Sequence, residues 1–300
     1  MTALCDFLKL NEIEYFKDEP MSRHTSFRIG GPADYFILPD SKEKLAGIIE
    51  FCKNENISFT VIGKGSNLLV SDKGIEGAVL CTSNLNSIIL KDNNRIVAEA
   101  GVSLASLCSF AKENGLTGLE FAYGIPGSVG GAMVMNAGAY SGEMKDVAVK
   151  TTVLDNKGNM LDIVGKDMRL SYRNSIFKAQ NLTVLSSEFL LKPDKKEEIC
   201  ARMDDFLSRR KSKQPLEYPS AGSVFKRPEG YFAGALIEEN NLKGVSVGGA
   251  QVSEKHAGFI INKNAATCSD VKTLIVKIQD KILKNNGVKL ETELIFKGRE

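Results

Sequence analysis

Residues 118–143 read Gly118-Leu-Glu-Phe-Ala-Tyr-Gly-Ile-Pro-Gly-Ser-Val-Gly-Gly-Ala-Met-Val-Met-Asn-Ala-Gly-Ala-Tyr-Ser-Gly-Glu143, with seven glycines. This is not a flexible linker, because Phe121, Tyr123, Ile125, Val129, Met133, Val134 and Met135 stand between the glycines and call for burial. A glycine admits positive φ and lets a backbone or a ligand come to van der Waals distance. Pro126 pre-sets a turn, and Ser128 is placed to cap a helix through Gly130, Gly131 and Ala132 whose first amides would face an anion. Two readings are open at this point: a phosphate cradle, or a tight crossing in which the glycines only let elements touch.

A chain of 300 residues, 43% hydrophobic and 25% charged, has the composition of a globular protein with two or three domains. With 39 basic and 37 acidic residues it has no field that argues for nucleic acid or a membrane surface as partner. Cys5, Cys52, Cys81, Cys108, Cys200 and Cys268 are widely separated, with no CxxC pair and no Cys/His cluster. Free buried thiols in a reducing compartment are expected, with no disulfide framework and no metal site. The N-terminal residues lack a signal-peptide core, and the expected location is the cytoplasm.

Leu4, Phe7, Leu8 and Ile13 predict a helix within 3–16, and a strand follows over 33–38. Asp40-Ser-Lys-Glu43 reads as a capping box opening a helix with Leu45, Ile48, Ile49 and Cys52 on one face. Phe59–Ile62 is a buried strand running into Gly63-Lys-Gly-Ser-Asn67. A helix is expected from Ser103 to Asn114 with Gly115 as its terminator. Strands over 147–155 and 160–164 meet through Asn156-Lys-Gly-Asn159, and 182–191 completes the group. Beyond a boundary near Lys192-Pro-Asp194 come a charged helix (195–211), helices near 232–239 and 269–285, strands near 246–252 and 257–262, and a last strand over 289–296. The order is not the regular alternation of a doubly wound sheet.

Neither Gly63-Lys64 nor Gly165-Lys166 has the spacing of a P-loop, and Gly63-Lys-Gly-Ser-Asn-Leu68 departs from the dinucleotide fingerprint at its last position. Taken together, Gly63-Lys-Gly-Ser-Asn-Leu-Leu-Val70, Gly124-Ile-Pro-Gly-Ser-Val-Gly-Gly131 and Asn136-Ala-Gly-Ala-Tyr140 resemble the flavin domain of the vanillyl-alcohol-oxidase (PCMH) type. Within that group His24-Thr-Ser-Phe-Arg-Ile-Gly-Gly31, Ser171-Tyr-Arg-Asn-Ser-Ile-Phe177, Ala221-Gly-Ser-Val-Phe-Lys226 and Leu290-Glu-Thr-Glu-Leu294 are similar to the signatures of the UDP-N-acetylenolpyruvoylglucosamine reductase family. The resemblance runs from about residue 22 onward. It implies an α+β fold with FAD-binding subdomains at 1–78 and 79–193, an α/β substrate domain at 200–288 and a C-terminal strand, 289–300, returning towards the active site. It also implies non-covalently bound FAD, NADPH as reductant, and a UDP-sugar whose enolpyruvyl ether becomes the lactyl ether of a peptidoglycan precursor. Only a short segment separates Arg173 from Leu182, so the chain resembles the shorter class of the family, without the insertion that carries a substrate-covering tyrosine.

Cofactor contacts are then expected from Gly63, Lys64, Gly65, Ser66, Asn67, Leu68, Tyr123, Ile125, Pro126, Gly127, Ser128, Val129, Gly131, Gly138 and Ala139. Hydride arriving at the vinyl carbon leaves negative charge beside the carboxylate, which must be stabilised and then protonated. Arg173 is the expected carboxylate clamp, Ser223 the proton donor beside the roomy Gly222, and Glu293, protonated or bridged by water, the hydrogen-bond partner of the enolate. Tyr172, Lys213, Lys226 and Arg227 are the expected substrate contacts, the cations meeting its diphosphate. Each has a plainer alternative: a strand-end ion pair for Arg173, a turn for Ser223, an edge-strand acid for Glu293, a solvated face for the lysines, a core ring for Tyr123. His24 and His256 are read as structural. Another flavin oxidase of the same fold, or a non-catalytic nucleotide-sugar binder, are the competing functions.

Overall fold

A computed structural model of the chain describes residues 2–155 and 158–300, so Asn156 and Lys157 of the expected hairpin turn lie outside the described residues. The chain divides into two compact units. The first comprises residues up to Phe16, Tyr35–Lys64 and Ala78–Arg210, the second Lys17–Asp34, Gly65–Gly77 and Lys211–Glu300.

In the first unit a five-stranded sheet runs in the order Met160–Val164, Ala148–Leu154, Thr183–Leu190, Arg95–Glu99, Ile88–Lys91, antiparallel throughout. Neighbouring residues of a strand point to opposite faces, and both faces of this sheet are covered. Val153, Val184 and Phe189 join one core with the helices α3 (Leu104–Glu113) and α4 (Val129–Met135). Leu154 and Leu185 join another, with α1 (Thr2–Leu10) and α2 (Lys42–Asn54). In that second core Phe59–Ile62 lies parallel to the strand residues Ala78–Cys81. Gly63 therefore begins a loop at the carboxyl end of a parallel strand, where α/β proteins place ligands. Two more helices follow, α5 (Ile176–Ala179) and α6 (Lys196–Lys213).

The second unit holds a four-stranded antiparallel sheet in the order Ser220–Ser223, Phe259–Asn262, Ala250–Val252, Ser246–Val247. Against it pack α7 (Ala233–Glu239) and α8 (Cys268–Asn286), through Leu236, Ile237, Leu274, Ile275 and Ile278. A capping box of Thr267 and Asp270 opens α8, and Gly287 at φ +68° closes it. Leu68–Val70 pairs in parallel with Ile295–Lys297.

Three local expectations are corrected. Helix α1 stops at Leu10, because Glu12 takes a left-handed φ of 50° and Glu14–Pro20 is a strand. The cap of α2 is Ser41, which accepts from the Lys44 amide at 3.1 Å, while Asp40 pairs with the Lys44 ammonium. The last strand is confined to Ile295–Lys297, so Glu293 precedes it.

Candidate cofactor and active site

Within the glycine-rich segment two glycines serve close packing of protein against protein. A Cβ on Gly130 would lie 2.9 Å from the Ala100 Cβ, and one on Gly142 2.6 Å from the Phe121 ring, so these glycines let protein touch protein. Gly63 differs: a Cβ there would lie 2.1 Å from the Ser128 Oγ, and nothing else but the Ser128 Cβ is within 4 Å. Ser128 is 2% exposed and its hydroxyl has no hydrogen-bond partner among the described residues. Buried hydroxyls are almost always satisfied. A hydroxyl left over beside a glycine, with a Cβ on the exposed Gly131 also falling 3.7 Å from it, fits a bound phosphate oxygen, as FAD would supply.

The expected capping arrangement is corrected. Ser128 occupies the position before α4 but its side chain makes no cap bond, and the amides of Val129 and Gly130 donate to the carbonyls of Val102 (2.9 Å) and Ala100 (2.8 Å). Those two amides are spent on protein, so of the cap and the first two helix positions only the Ser128 hydroxyl is left as a donor for an anion. Gly127 fixes the loop by accepting from the Leu104 amide at 3.1 Å, while Pro126 is exposed and Tyr123 and Ile125 pack on the adjoining core. Gly138 and Ala139 pair with Glu143 and Gly142 in a two-residue ladder.

One face of α6 braces this segment. Arg202 binds the Glu120 carboxylate at 2.9 Å and Asp194 at 2.5 Å, Phe206 stacks on Tyr140 at 4.6 Å between centroids, and Arg210 donates to the Gly124 carbonyl. The spacing 202, 206, 210 is one residue per turn. An Arg-x3-Phe-x3-Arg row on a helix that otherwise reads as charged was the available signal for this brace. Burial pushes the Glu120 carboxyl up, but Thr117, the Gly118 amide and Arg202 outweigh it and hold the group below the usual carboxylate range. Burial pulls the Arg210 guanidinium down, against its bond to Tyr140.

Tyr172 and Arg173 are the central pair of a closed turn: the Ser171 amide donates to the Asn174 carbonyl at 3.0 Å and the Asn174 amide returns at 3.1 Å. Arg173 is left-handed at φ 53°, half-buried, and lies over the Tyr172 ring at 5.1 Å. In the second unit Ser223 and Glu293 are brought together by main chain: the Glu293 amide donates to the Val224 carbonyl at 2.7 Å, and Phe225 bridges Thr292. Gly222 takes φ +78°, and a Cβ on it would meet nothing within 4 Å.

The remaining expected residues take mixed places. Gly65 is tight against the His24 carbonyl, which a Cβ would approach to 2.1 Å. The Asn67 carboxamide donates to the Glu293 carbonyl at 3.1 Å, so its side chain ties the loop to the Glu293 segment. The Ser66 carbonyl accepts from the Ser26 hydroxyl at 3.4 Å, Leu68 is buried, and Lys64 is exposed. Lys226 is ion-paired with Glu291 at 3.0 Å, Arg227 stacks on Phe232 at 4.0 Å, and Lys213 is exposed at the end of α6. His256 is half-buried and accepts from the Gly258 amide at 3.1 Å.

Residues 33–163 match the family described as FAD binding domain, and residues 214–296 match the UDP-N-acetylenolpyruvoylglucosamine reductase, C-terminal domain. A berberine bridge enzyme variant shares the fold over 64% of this chain, with a TM-score of 0.51 and 16% identity. The class is therefore that of an FAD-dependent oxidoreductase of the PCMH-type fold. The reductase of Caldanaerobacter subterraneus subsp. tengcongensis is 50% identical over 299 residues, covering 99% of each chain. That of Syntrophomonas wolfei is 50% identical over 299 residues, 100% of this chain and 99% of its own. The crystal structure of the Thermus caldophilus enzyme superposes with a TM-score of 0.81 at 33% identity, covering 95% of this chain and 98% of that one. The chain belongs to the UDP-N-acetylenolpyruvoylglucosamine reductase family, whose reaction is a step of peptidoglycan precursor synthesis on a UDP-sugar, with FAD and NADPH as cofactors.

Proposed function

We propose that in this reductase Arg173, Ser223 and Glu293 carry the conversion of the enolpyruvyl ether of UDP-N-acetylglucosamine to the lactyl ether of UDP-N-acetylmuramate. When bound, FAD reduced by NADPH supplies the hydride to the terminal vinyl carbon. Arg173 holds the substrate carboxylate with two parallel N–H bonds, and its fixed positive charge opposes the negative charge that develops on the neighbouring carbon. The Ser223 hydroxyl gives its proton to that carbon, and Gly222 leaves room for the ether beside it. Glu293, protonated or through a bridging water, donates a hydrogen bond to the enolate oxygen. Lys213 and Arg227 face the diphosphate; Lys226 serves it only on release from Glu291. Gly63, Ser128 and Gly131 hold the cofactor pyrophosphate, with Tyr123, Ile125 and the 138–139 ladder beside it. The cofactor-binding part is 1–78 with 79–193, the substrate domain 200–288, and 289–300 returns towards the active site. The buried thiols favour a cytoplasmic setting.

The observation that carries the cofactor site is the buried Ser128 hydroxyl, unpartnered and facing a glycine. An anaerobic titration tests the whole reading: NADPH bleaches the bound flavin, and the enolpyruvyl UDP-sugar then restores its colour. Flavin that bleaches but is not reoxidised by this sugar refutes the substrate assignment.

A further inference from the structure

Arg173 sits on a turn of four residues, and a short turn does not orient a long side chain unless something rigid holds it. Asn136 supplies that hold. It is fully buried and closes α4 in the left-handed conformation, φ 41° and ψ 58°. Asparagine is tolerated there, yet the left-handed cap by itself would be met as well by glycine. What glycine lacks is the carboxamide, and this one is fully engaged. Its Nδ2 donates to the Ser171 carbonyl at 3.1 Å and to the Glu143 carboxylate at 2.5 Å, and its Oδ1 accepts from the Lys145 amide at 3.0 Å.

The Ser171 carbonyl is the one that closes the Arg173 turn. On the far side of the turn the Ser175 hydroxyl donates to the Val134 carbonyl at 2.7 Å. Both ends of the turn are thus fastened to the last residues of α4. The residue before α4 is Ser128, whose hydroxyl marks the cofactor cradle. One helix of seven residues, about 10 Å long at 1.5 Å per residue, therefore spans from the cradle to the turn, with Asn136 as the joint at its end.

We propose that Asn136 is a positioning residue that fixes the Arg173 guanidinium relative to the flavin, an inference that rests on the carboxylate-clamping role given to Arg173 above. It touches neither substrate nor cofactor and acts through the Ser171 carbonyl.

The selective variant is the double exchange Asn136→Asp with Glu143→Gln. The carboxamide introduced at position 143 then donates to the carboxylate introduced at position 136, which still accepts from the Lys145 amide, so of the three Asn136 bonds only the one to Ser171 is removed, while the Lys145 ion pair and the turn cap of Glu143 are weakened in this variant and in the reference alike. Glu143→Gln alone keeps all three and is the reference. Anaerobic stopped-flow of the FAD-loaded protein then separates the steps. Reoxidation of the reduced flavin by the enolpyruvyl UDP-sugar is expected to slow about 10²-fold, as for a misplacement of the order of 1 Å. Flavin reduction by NADPH and FAD content should stay at the reference level, whereas the buried carboxylate facing the Ser171 carbonyl should lower the thermal midpoint. On an Arg173→Lys background the exchange should cause no further loss. An equal fall in both half-reactions, or no change in reoxidation while Arg173→Lys alone is slow, overturns the role of Asn136. If Arg173→Lys itself reoxidises at the native rate, the reading of Arg173 fails and this inference falls with it.

Discussion

The turn that carries Arg173 and the strand that carries Ser223 are fastened by different means. Around Arg173 the ties are side chains: Asn136 on one side and Ser175 on the other, with a non-glycine residue held left-handed at φ 53°, a conformation that costs roughly 1–2 kcal/mol. Around Ser223 most of the ties are main chain, with the Asn67 carboxamide on the Glu293 carbonyl and the Ser26 hydroxyl on the Ser220 carbonyl as side-chain additions. The amides of Val224, Lys226 and Glu293 donate to Gly258, Glu291 and Val224, and the positive φ falls on Gly222, where it costs little. Main-chain ladders survive the replacement of any one side chain. Function at Ser223 should therefore respond chiefly to changes in the reacting atoms, whereas function at Arg173 should also respond strongly to changes in residues that never meet the substrate.

The largest expected effect lies on the main-chain side of that contrast. Ser223→Ala should slow substrate reduction by roughly 10²–10⁴-fold, the usual worth of a placed proton donor, with flavin reduction by NADPH and thermal stability intact. Equal losses in the two half-reactions would remove the donor role. On the side-chain side, Arg173→Lys should cost about 10²-fold in flavin reoxidation alone, since a point charge cannot replace a planar fork. Native turnover in that variant would leave the turn without its function.

A second pair of replacements sharpens the distinction between a glycine packed against the backbone of another element and the glycine proposed to border the cofactor. In Gly63→Ala the added methyl displaces the Ser128 hydroxyl, the end of a side chain that can turn aside, and FAD affinity, measured by fluorescence quenching, should fall roughly 10-fold or more, as for the loss of one hydrogen bond to a charged group. The apoprotein should melt where the native one does. Gly130→Ala should do the reverse, losing about 1–2 kcal/mol of stability against Ala100, net of the better helix propensity of alanine, with FAD affinity kept in the fraction that is folded. Identical behaviour of the two variants would mean that both glycines serve packing only.

These contrasts were unevenly legible in the sequence. The loop at Gly63 could be read because a glycine after an apolar strand is a local signal, and Ser103 and Gly115, which bound α3, follow the same logic. The direction of the Ser128 hydroxyl could not, since it depends on Val102 and Ala100 taking the helix amides and on Gly63, 65 positions away, leaving space. Ser41 and Asp40 are both acceptable caps, and only the geometry of the entering chain selects Ser41. Leu290 to Leu294 reads as a strand by alternation, yet pairing with Leu68–Val70 starts only at Ile295, leaving Glu293 ahead of the ladder. Lys226 shows the general difficulty: a lysine near a diphosphate and a lysine beside Glu291 look the same until the strands are paired.

The brace formed by Arg202 extends the side-chain mode of fastening to the cofactor segment, and it titrates. Glu120 is 6% exposed, and its carboxylate accepts from Thr117, the Gly118 amide and Arg202. Its folded-state pKa lies below the ordinary value of 4.5, so its contribution is complete above that value and is lost as pH falls through the lower, folded one. Glu120→Gln should cost about 1–2 kcal/mol at neutral pH. That is less than a fully buried pair would lose, because Arg202 is 39% exposed and keeps Asp194. Urea unfolding from pH 7 downward should show a constant gap between native and variant protein until about pH 4.5, then a narrowing one. A gap that persists unchanged into stronger acid would mean that Glu120 acts through packing and neutral hydrogen bonds, and that the charge on Arg202 contributes nothing to holding the segment against α6.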